Sequence, residues 1–223
     1  MAGAPLTFTA VQAQIEQEDG LADWRMMFQT LETRFGTGDF ARGLDLVARI
    51  GEVAAEFGHP PELDLRAATL HVRLISRDVF GVTRTDLDLA RRISAVAGEL
   101  GVEADPGVVE VVELALDTPD HTEIKPFWRA VLGYEDHPLH DREVRDLRGI
   151  GPAVWFQPTD PHEEPQQRFH LDVRVPPEAA GPRIEAALAA GGTLVSDERA
   201  PAFVVLADPQ GNKACVTTGL GRD

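Results

Sequence analysis

Near neutral pH, proton transfer in this chain falls to seven histidines and thiolate chemistry to a single cysteine. His59 stands before Pro60-Pro61-Glu62. An imidazole there can give and take protons, because its ordinary pKa of about 6.5 lies close to neutrality. It can equally cap the last carbonyls of a helix. Arg77, beside Asp78, is no proton acceptor, since a guanidinium stays charged below a pH of about 12. It is either a clamp for an anion or carboxylate, or a partner in a surface salt bridge with Asp78 or Glu62. His71 alternates outward between apolar neighbours and is structural. His137 and His140 have the spacing of a metal pair, but the charged run from Asp136 to Arg148 predicts a solvated, mobile loop, as does His162-Glu163-Glu164. Cys215 sits in an apolar run, as a small buried hydrophobe would. No phosphate-binding loop, dinucleotide fingerprint, zinc knuckle or nucleophile elbow occurs.

These residues need elements to hold them. Phe40, Leu44, Val47, Ile50, Ala54 and Phe57 recur at helical spacing, which predicts a helix over 40–57 with Asp39 as its N-cap and a buried stripe of those six. Gly58 and Pro60-Pro61 stop it. From Ala68 to Ile75 the period becomes two, with Leu70, Val72 and Leu74 on one side and His71 and Arg73 on the other, which predicts a half-buried strand. Thr85-Asp86 offers the cap of a second helix, whose Leu89, Ile93, Val96 and Leu100 share a face. The stretch through Trp24, Met27, Leu31 and Phe35 fits helix or mixed helix and strand. Gly101–Gly107 (GVEADPG) reads as a linker between domains at 1–102 and 108–219.

Beyond the linker the chain nearly repeats itself. Glu113–Pro119 and His170–Pro176 each predict a strand and a proline-bearing turn, then a helix ending at Gly133 or Gly191. Asp120 and Glu123 have capping-box spacing at the first of these helices, whose Phe127 and Trp128 belong in the core. Further strands are expected near 153–156, 202–206 and 214–217, with Asp208-Pro209-Gln210-Gly211-Asn212 as a turn.

The run Asp23-Trp24-Arg25, Thr37-Gly38-Asp39-Phe40, His59-Pro60-Pro61-Glu62-Leu63, Leu70-His71-Val72-Arg73-Leu74, Ser76-Arg77-Asp78 and Gly81-Val82-Thr83 resembles pterin-4a-carbinolamine dehydratases. The resemblance implies an antiparallel sheet with helices on one face, and a general acid/base that removes water from a carbinolamine. Members of that family carry adjacent histidines before a proline and a third in a Thr/Ser-His-Asp triplet. Here those places read His59-Pro60 and Ser76-Arg77-Asp78, so one of three histidines survives, and the following glycine pair reads Phe80-Gly81. What is implied is a diverged site with His59 as acid/base and Glu62, Arg77 and Asp78 shaping it.

The second half resembles the glyoxalase-like branch of the vicinal-oxygen-chelate (VOC) superfamily. The resemblance is carried by Phe127-Trp128-Arg129-Ala130-Val131-Leu132-Gly133-Tyr134, Trp155-Phe156-Gln157-Pro158, Phe169-His170-Leu171-Asp172-Val173 and the Asp208–Asn212 turn. It implies a paired βαβββ fold whose curved sheet holds a small ligand. Metal-using members ligate a divalent ion from four strand positions, which fall here on Glu113, Gln157, His170 and Cys215, a set that mixes hard oxygen with soft sulfur. In members without metal the same cup holds an organic ligand, which makes Glu113, Gln157 and His170 substrate-binding candidates. A divalent metal in this domain is the one cofactor the resemblance allows.

The expected fold class is therefore α+β in both halves. The expected function is a lyase of hydro-lyase type on a small oxygenated or heterocyclic metabolite. Two alternatives stand beside it: a glyoxalase-type lyase or isomerase with an inactive first module, and a non-catalytic small-molecule-binding protein. A net charge of −16, from 21 Lys+Arg against 37 Asp+Glu, argues against nucleic acid as partner. No apolar run approaches the roughly 18 residues that span a bilayer. The opening residues lack a basic segment leading into an apolar core, and one cysteine suits a reducing compartment, so a cytoplasmic protein is expected. Both resemblances imply a homodimer or higher homo-oligomer.

Overall fold

The structure, a computed structural model, describes residues 3–109, 111, 113–161, 170–175, 177–218 and 220. Phe169, Pro176 and the His162-Glu163-Glu164 run lie outside them. The chain divides into two compact units, Met1–Val111 and Val112–Asp223.

The first unit runs α1 (Phe8–Gln17), β1 (Arg25–Met27), β2 (Thr30–Gly36), α2 (Phe40–Phe57), β3 (Glu62–Leu65), β4 (Thr69–Leu74), α3 (Arg84–Glu99) and β5 (Glu103–Ala104). Its antiparallel sheet has the order β1-β2-β4-β3, with β5 paired to the far end of β2. Two of the residues read as linker therefore lengthen this sheet. Leu70, Val72 and Leu74 face a core shared with Leu46 and Ile50 of α2 and with Leu89 and Ile93 of α3, as the period-two pattern requires.

Three local expectations are corrected. The buried stripe of α2 is Leu46, Ile50, Val53 and Ala54, whereas Phe40 and Leu44 are about half exposed. At 100° per residue both lie more than about 100° around the helix from Leu46, outside the stripe. The cap of α3 is Thr83, two residues earlier than expected, with Asp86 in its first turn reaching back to the Thr83 N–H at 2.7 Å. The stretch from Trp24 to Phe35 is a hairpin, β1 pairing β2 from Arg25↔Glu32 to Met27↔Thr30. The helix α1, which had no strong sequence signal, buries Val11 and Ile15.

The second unit contains β6 (Glu113–Thr118), α4 (His121–Leu132), β7 (Glu135–Asp136), β8 (Glu143–Arg145) and β9 (Ala153–Pro158). A second copy of that order follows: β10 (Leu171–Arg174), α5 (Pro177–Ala189), β11 (Thr193–Ser196), β12 (Phe203–Ala207) and β13 (Lys213–Thr217). Each half is βαβββ with strand order first-fourth-third-second (β6-β9-β8-β7 and β10-β13-β12-β11), and in each the first and fourth strands are parallel. Gly133 ends α4 in the left-handed conformation at φ 69°, where a side chain would be strained. One core joins both halves through Phe127, Trp128 and Val131 of α4, Ala187 of α5, and Phe156, Leu206 and Val216 of the sheets. The Asp208–Asn212 turn is part of this framework. Its buried Asp208 accepts from Trp128 Nε1 at 3.0 Å, from the Gln210 and Asn212 N–H groups, and from Asn212 Nδ2.

Two further expectations fail here. Asp120 does cap α4, but by accepting from Thr122 N at 2.9 Å, while Glu123 accepts from Gln210 instead of closing a capping box. The Asp136–Arg148 run is a solvated loop only in part: residues 138–142, His140 among them, are exposed, but others are not. Val144 is in the core, Asp146 is buried, and His137 is 6% exposed with its Nδ1 accepting from the N–H groups of Leu139 and His140 at 3.0 Å. Burial, helped by the nearby His140 and Arg145 charges, lowers the His137 pKa to about 4. For Asp146 burial opposes ionisation, but hydrogen bonds from Arg148, Gly151 and Ile150 outweigh it and hold the pKa at about 2.

Candidate functional site

His59 follows the left-handed Gly58 that stops α2, so its backbone is set by the helix exit and its side chain turns toward α3. There Nε2 lies 2.7 Å from Asp86 Oδ1. Asp86 is fully buried. Its other oxygen, Oδ2, accepts from Ser76 Oγ at 2.7 Å, from the Thr83 N–H at 2.7 Å and from Thr83 Oγ1 at 2.9 Å. A carboxylate has about four lone-pair sites, and four donors converge on this one, three of them on Oδ2. That pattern belongs to the ionised form, which the positive end of α3 also favours. His59 Nε2 must then carry the proton it donates, so in neutral imidazole the lone pair sits on Nδ1. No protein group among the described residues pairs with Nδ1. The geometry is that of a base whose tautomer is fixed by a buried acid.

Asp86 is the participant that the sequence pattern failed to single out. The signal was present as a capping-box spacing, Thr83 to Asp86, but Thr85-Asp86 drew attention to the wrong cap. Ser76 was noted only as part of a triplet, and it supplies one of the four donors.

Glu62 starts β3 opposite Arg73 of β4 and bridges two guanidinium groups, Arg73 through Oε2 and Arg77 through Oε1. The Arg77 side chain is 66% exposed, so this pair contributes little stability, about 0–1 kcal/mol. Asp78 is exposed. The chain brings the two groups next to each other in sequence, Ser76 turning to Asp86 and Arg77 turning to Glu62. Between Ser76 and Gly81 it closes a tight loop in which Phe80 has φ 51°, a left-handed conformation that glycine adopts without cost. His71 is not solitary either: its Nε2 lies 2.9 Å from Oε2 of the buried Glu32 across the β2–β4 pair.

In the second unit the four positions implied by resemblance separate. Glu113 opposes Ala153 and Gln157 opposes Asp117 on the parallel pair β6–β9. Four residues along a strand put them about 13 Å apart. Gln157 donates to the carbonyl of Pro158, and Glu113 lies near Glu143, whose pKa is raised by burial and by the Glu113 charge. His170 and Cys215 belong to the other sheet. There Asp172 of β10 stands in register with Cys215 of β13. His170 has the parity of Asp172, so all three side chains lie on the face turned away from Leu171, Ala214 and Val216. Their ligating atoms lie within 4.8 Å of one another, and His170 Nε2 is 3.4 Å from Asp172 Oδ1. Burial, then the Asp172 carboxylate, pushes the Cys215 thiol up. Imidazole, carboxylate and thiolate are a donor set that suits a borderline transition-metal dication.

Against known families, the model described as pterin 4 alpha carbinolamine dehydratase matches residues 4–96, and that described as a glyoxalase-like domain matches residues 113–217. A Mycobacterium avium protein provisionally named pterin-4-alpha-carbinolamine dehydratase is 30% identical over 95 residues, covering 43% of this chain and 98% of its own length. A Mycobacterium tuberculosis protein of the same name is 32% identical over 95 residues, again covering 43% and 98%. Among solved structures, the transcriptional coactivator/pterin dehydratase of Brucella melitensis aligns at 25% identity and TM-score 0.39, over 42% of this chain and 99% of that one. A glyoxalase/bleomycin resistance protein of Albidiferax ferrireducens aligns at 20% identity and TM-score 0.37, over 48% of this chain and 95% of that one.

Proposed function

This chain belongs to the pterin-4-alpha-carbinolamine dehydratase family, with a glyoxalase-like domain after the dehydratase domain, and from that membership we propose that its first unit is a hydro-lyase for a cyclic carbinolamine in which His59 alone moves the proton. The observation that carries this reading is the 2.7 Å contact of His59 Nε2 with the buried, fully hydrogen-bonded Asp86. In the reaction the carbinolamine N–H gives its proton to His59 Nδ1, and the nitrogen lone pair forms C=N as the C–O bond breaks. The same imidazolium returns the proton to the departing hydroxide, so water and the imine are the products. Asp86 steadies the imidazolium between the two transfers and is a positioning residue. Arg77, charged throughout and paired with Glu62, orients the substrate without proton transfer.

The reading takes a small oxygenated heterocycle as partner, the cytoplasm as its place and a homo-oligomer as the working form, which sedimentation of the full chain would check. Its chemistry is tested by following dehydration of a 4a-hydroxytetrahydropterin by the purified protein. The natural chain should exceed the uncatalysed rate, and His59→Ala should lower its rate by about 10²–10⁴. A Pro60→His/Arg77→His double variant sharpens the result. If only that variant is active, the pocket is retained but a single histidine does not suffice, and the proposal fails.

A further inference from the structure

Two bridges tie the segment that begins at His59 to the segment that begins at Ser76. In one, His59 Nε2 and Ser76 Oγ each stand 2.7 Å from an oxygen of Asp86. In the other, Glu62 pairs with Arg77. A guanidinium is thus anchored beside the proposed base. Resting on the hydro-lyase reading above, we propose that the cyclic carbinolamine taken by the first unit carries a carboxylate, and that Arg77 is the residue that selects it.

The donors of Arg77 point to this first. A guanidinium presents five N–H donors in a flat fork and no acceptor. Among the described residues Arg77 has one protein partner, Glu62 Oε1, which it reaches through Nη2. Nε and Nη1 are left for a ligand, on a side chain that is 66% exposed. A planar carboxylate meets two such donors at once, which a neutral substituent does not. Glu62, in turn, does not depend on Arg77. Arg73 of β4 donates to Glu62 Oε2 through Nε, at 3.0 Å, and through Nη2. An incoming carboxylate can therefore share Arg77, or draw it off Oε1, while Glu62 keeps both bonds to Arg73.

The acids around this pair do not oppose an anion strongly. Asp64 accepts from Arg66 at 2.8 and 3.0 Å. The buried Glu32, opposite Arg73 on β2, accepts from Thr30 Oγ1 and lies 2.9 Å from His71 Nε2. Asp78 is exposed, where solvent screens its charge. The net charge of −16 disfavours anions elsewhere on the chain, so an anionic substrate needs a local cation of this kind. Arginine also stands here where the resembled family carries histidine. A group that loses its charge near neutrality is replaced by one that keeps it.

Equilibrium binding tests the selection apart from turnover. Fluorescence quenching reports the affinity of the full chain for pterin-6-carboxylate and for the neutral 6-methylpterin, near neutral pH and at low salt. The carboxylate should bind about tenfold tighter or more, and the ratio should shrink as salt is raised. Arg77→Gln should bring the ratio to within about twofold of one. Arg77→Lys, which keeps the charge without the fork, should retain part of it. Arg77 is exposed, so these variants leave the fold in place. Glu62→Gln removes the internal competitor and should raise the ratio. Equal affinities in the natural chain, a ratio that survives Arg77→Gln, or no binding of either compound would each overturn the carboxylate assignment. The first two results leave the hydro-lyase reading standing wherever dehydration is lost in His59→Ala. A tenfold ratio without any such dehydration would overturn that reading and support the carboxylate selection.

Discussion

In the first unit, the Asp86 carboxylate is fully buried and receives four donors; in the second, the Asp172 carboxylate is exposed beside a thiol whose ionisation it opposes. Both sit next to a histidine. In the first case four protein donors hold the buried acid in place, so it orients its neighbour. In the second the thiol hydrogen-bonds to the carboxylate and His170 Nε2 lies 3.4 Å from it, at a surface where solvent reaches both charged groups. An Asp–His contact thus says little by itself about chemistry. Burial and the number of donors on the carboxylate decide whether the pair is fixed within the fold or left at the surface.

Removing each carboxylate should expose that difference most strongly. Asp86→Ala leaves Ser76, Thr83 and His59 donors without an acceptor in the interior and should cost about 3–5 kcal/mol of unfolding free energy, read by urea denaturation. Asp172→Asn, at an exposed site, should change the same quantity by less than about 0.5 kcal/mol. Equal losses would erase the distinction between a framework acid and an exposed one.

The next largest effect is on pH dependence, and it concerns the buried His137, whose Nε2 lies 3.9 Å from Glu143 Oε1. His137 titrates at about 4 in the folded chain and near 6.5 when unfolded. Between these values the unfolded chain binds the extra proton, so stability rises with pH across the window and is lost as pH falls from about 6.5 toward 4. The loss should amount to about 1–3 kcal/mol. Glu143, pushed up by burial and by Glu113, tilts the curve the opposite way, so the comparison that isolates the effect is natural protein against His137→Gln. The variant should show a flatter dependence of the second unit's urea midpoint between pH 6.5 and 4.5. An unchanged slope would mean that His137 is protonated in the fold.

The smallest effect belongs to the loop between Ser76 and Arg84. Phe80, at φ 51°, should be replaceable by glycine with a gain of up to about 1 kcal/mol, because relief of left-handed strain exceeds the added unfolded-state freedom. Thermal midpoints of Phe80→Gly and the natural chain measure it. A loss would show that the Phe80 ring's packing outweighs its backbone strain.

What could be read from the sequence was whatever repeats with a period. The strand at 69–74, the two long helices of the first unit and the near-repeat of the second came from spacing, while the paired βαβββ plan came from resemblance. Trp24, Met27, Leu31 and Phe35 stayed ambiguous because spacings of three and four fit a helix, while Leu31, Thr33 and Phe35 carry the period of two that the hairpin uses. The Asp136–Arg148 run, exposed over 138–142, was misjudged at its buried residues for another reason. Its polar side chains are satisfied locally, His137 by two backbone N–H groups and Asp146 by three, so composition suggested solvent where the fold provides partners. For the candidate site, His59 was legible by resemblance. Asp86 was not, because its role depends on the approach of a helix exit to a helix start, which no local pattern records. Asp172 was quoted within a motif but not weighed as a donor, since its proximity to Cys215 is a matter of strand register.

The proposed dehydration depends on the state of one imidazole. Long-range nitrogen–proton NMR of the His59 ring in the full chain, at a pH where it is neutral, reports which nitrogen is protonated. A protonated Nε2 with a bare Nδ1, shifting toward a tautomer mixture in Asp86→Asn, is the predicted result. A protonated Nδ1, or a ring whose tautomer ignores Asp86→Asn, would contradict it, because the proposed base would then have no lone pair to offer.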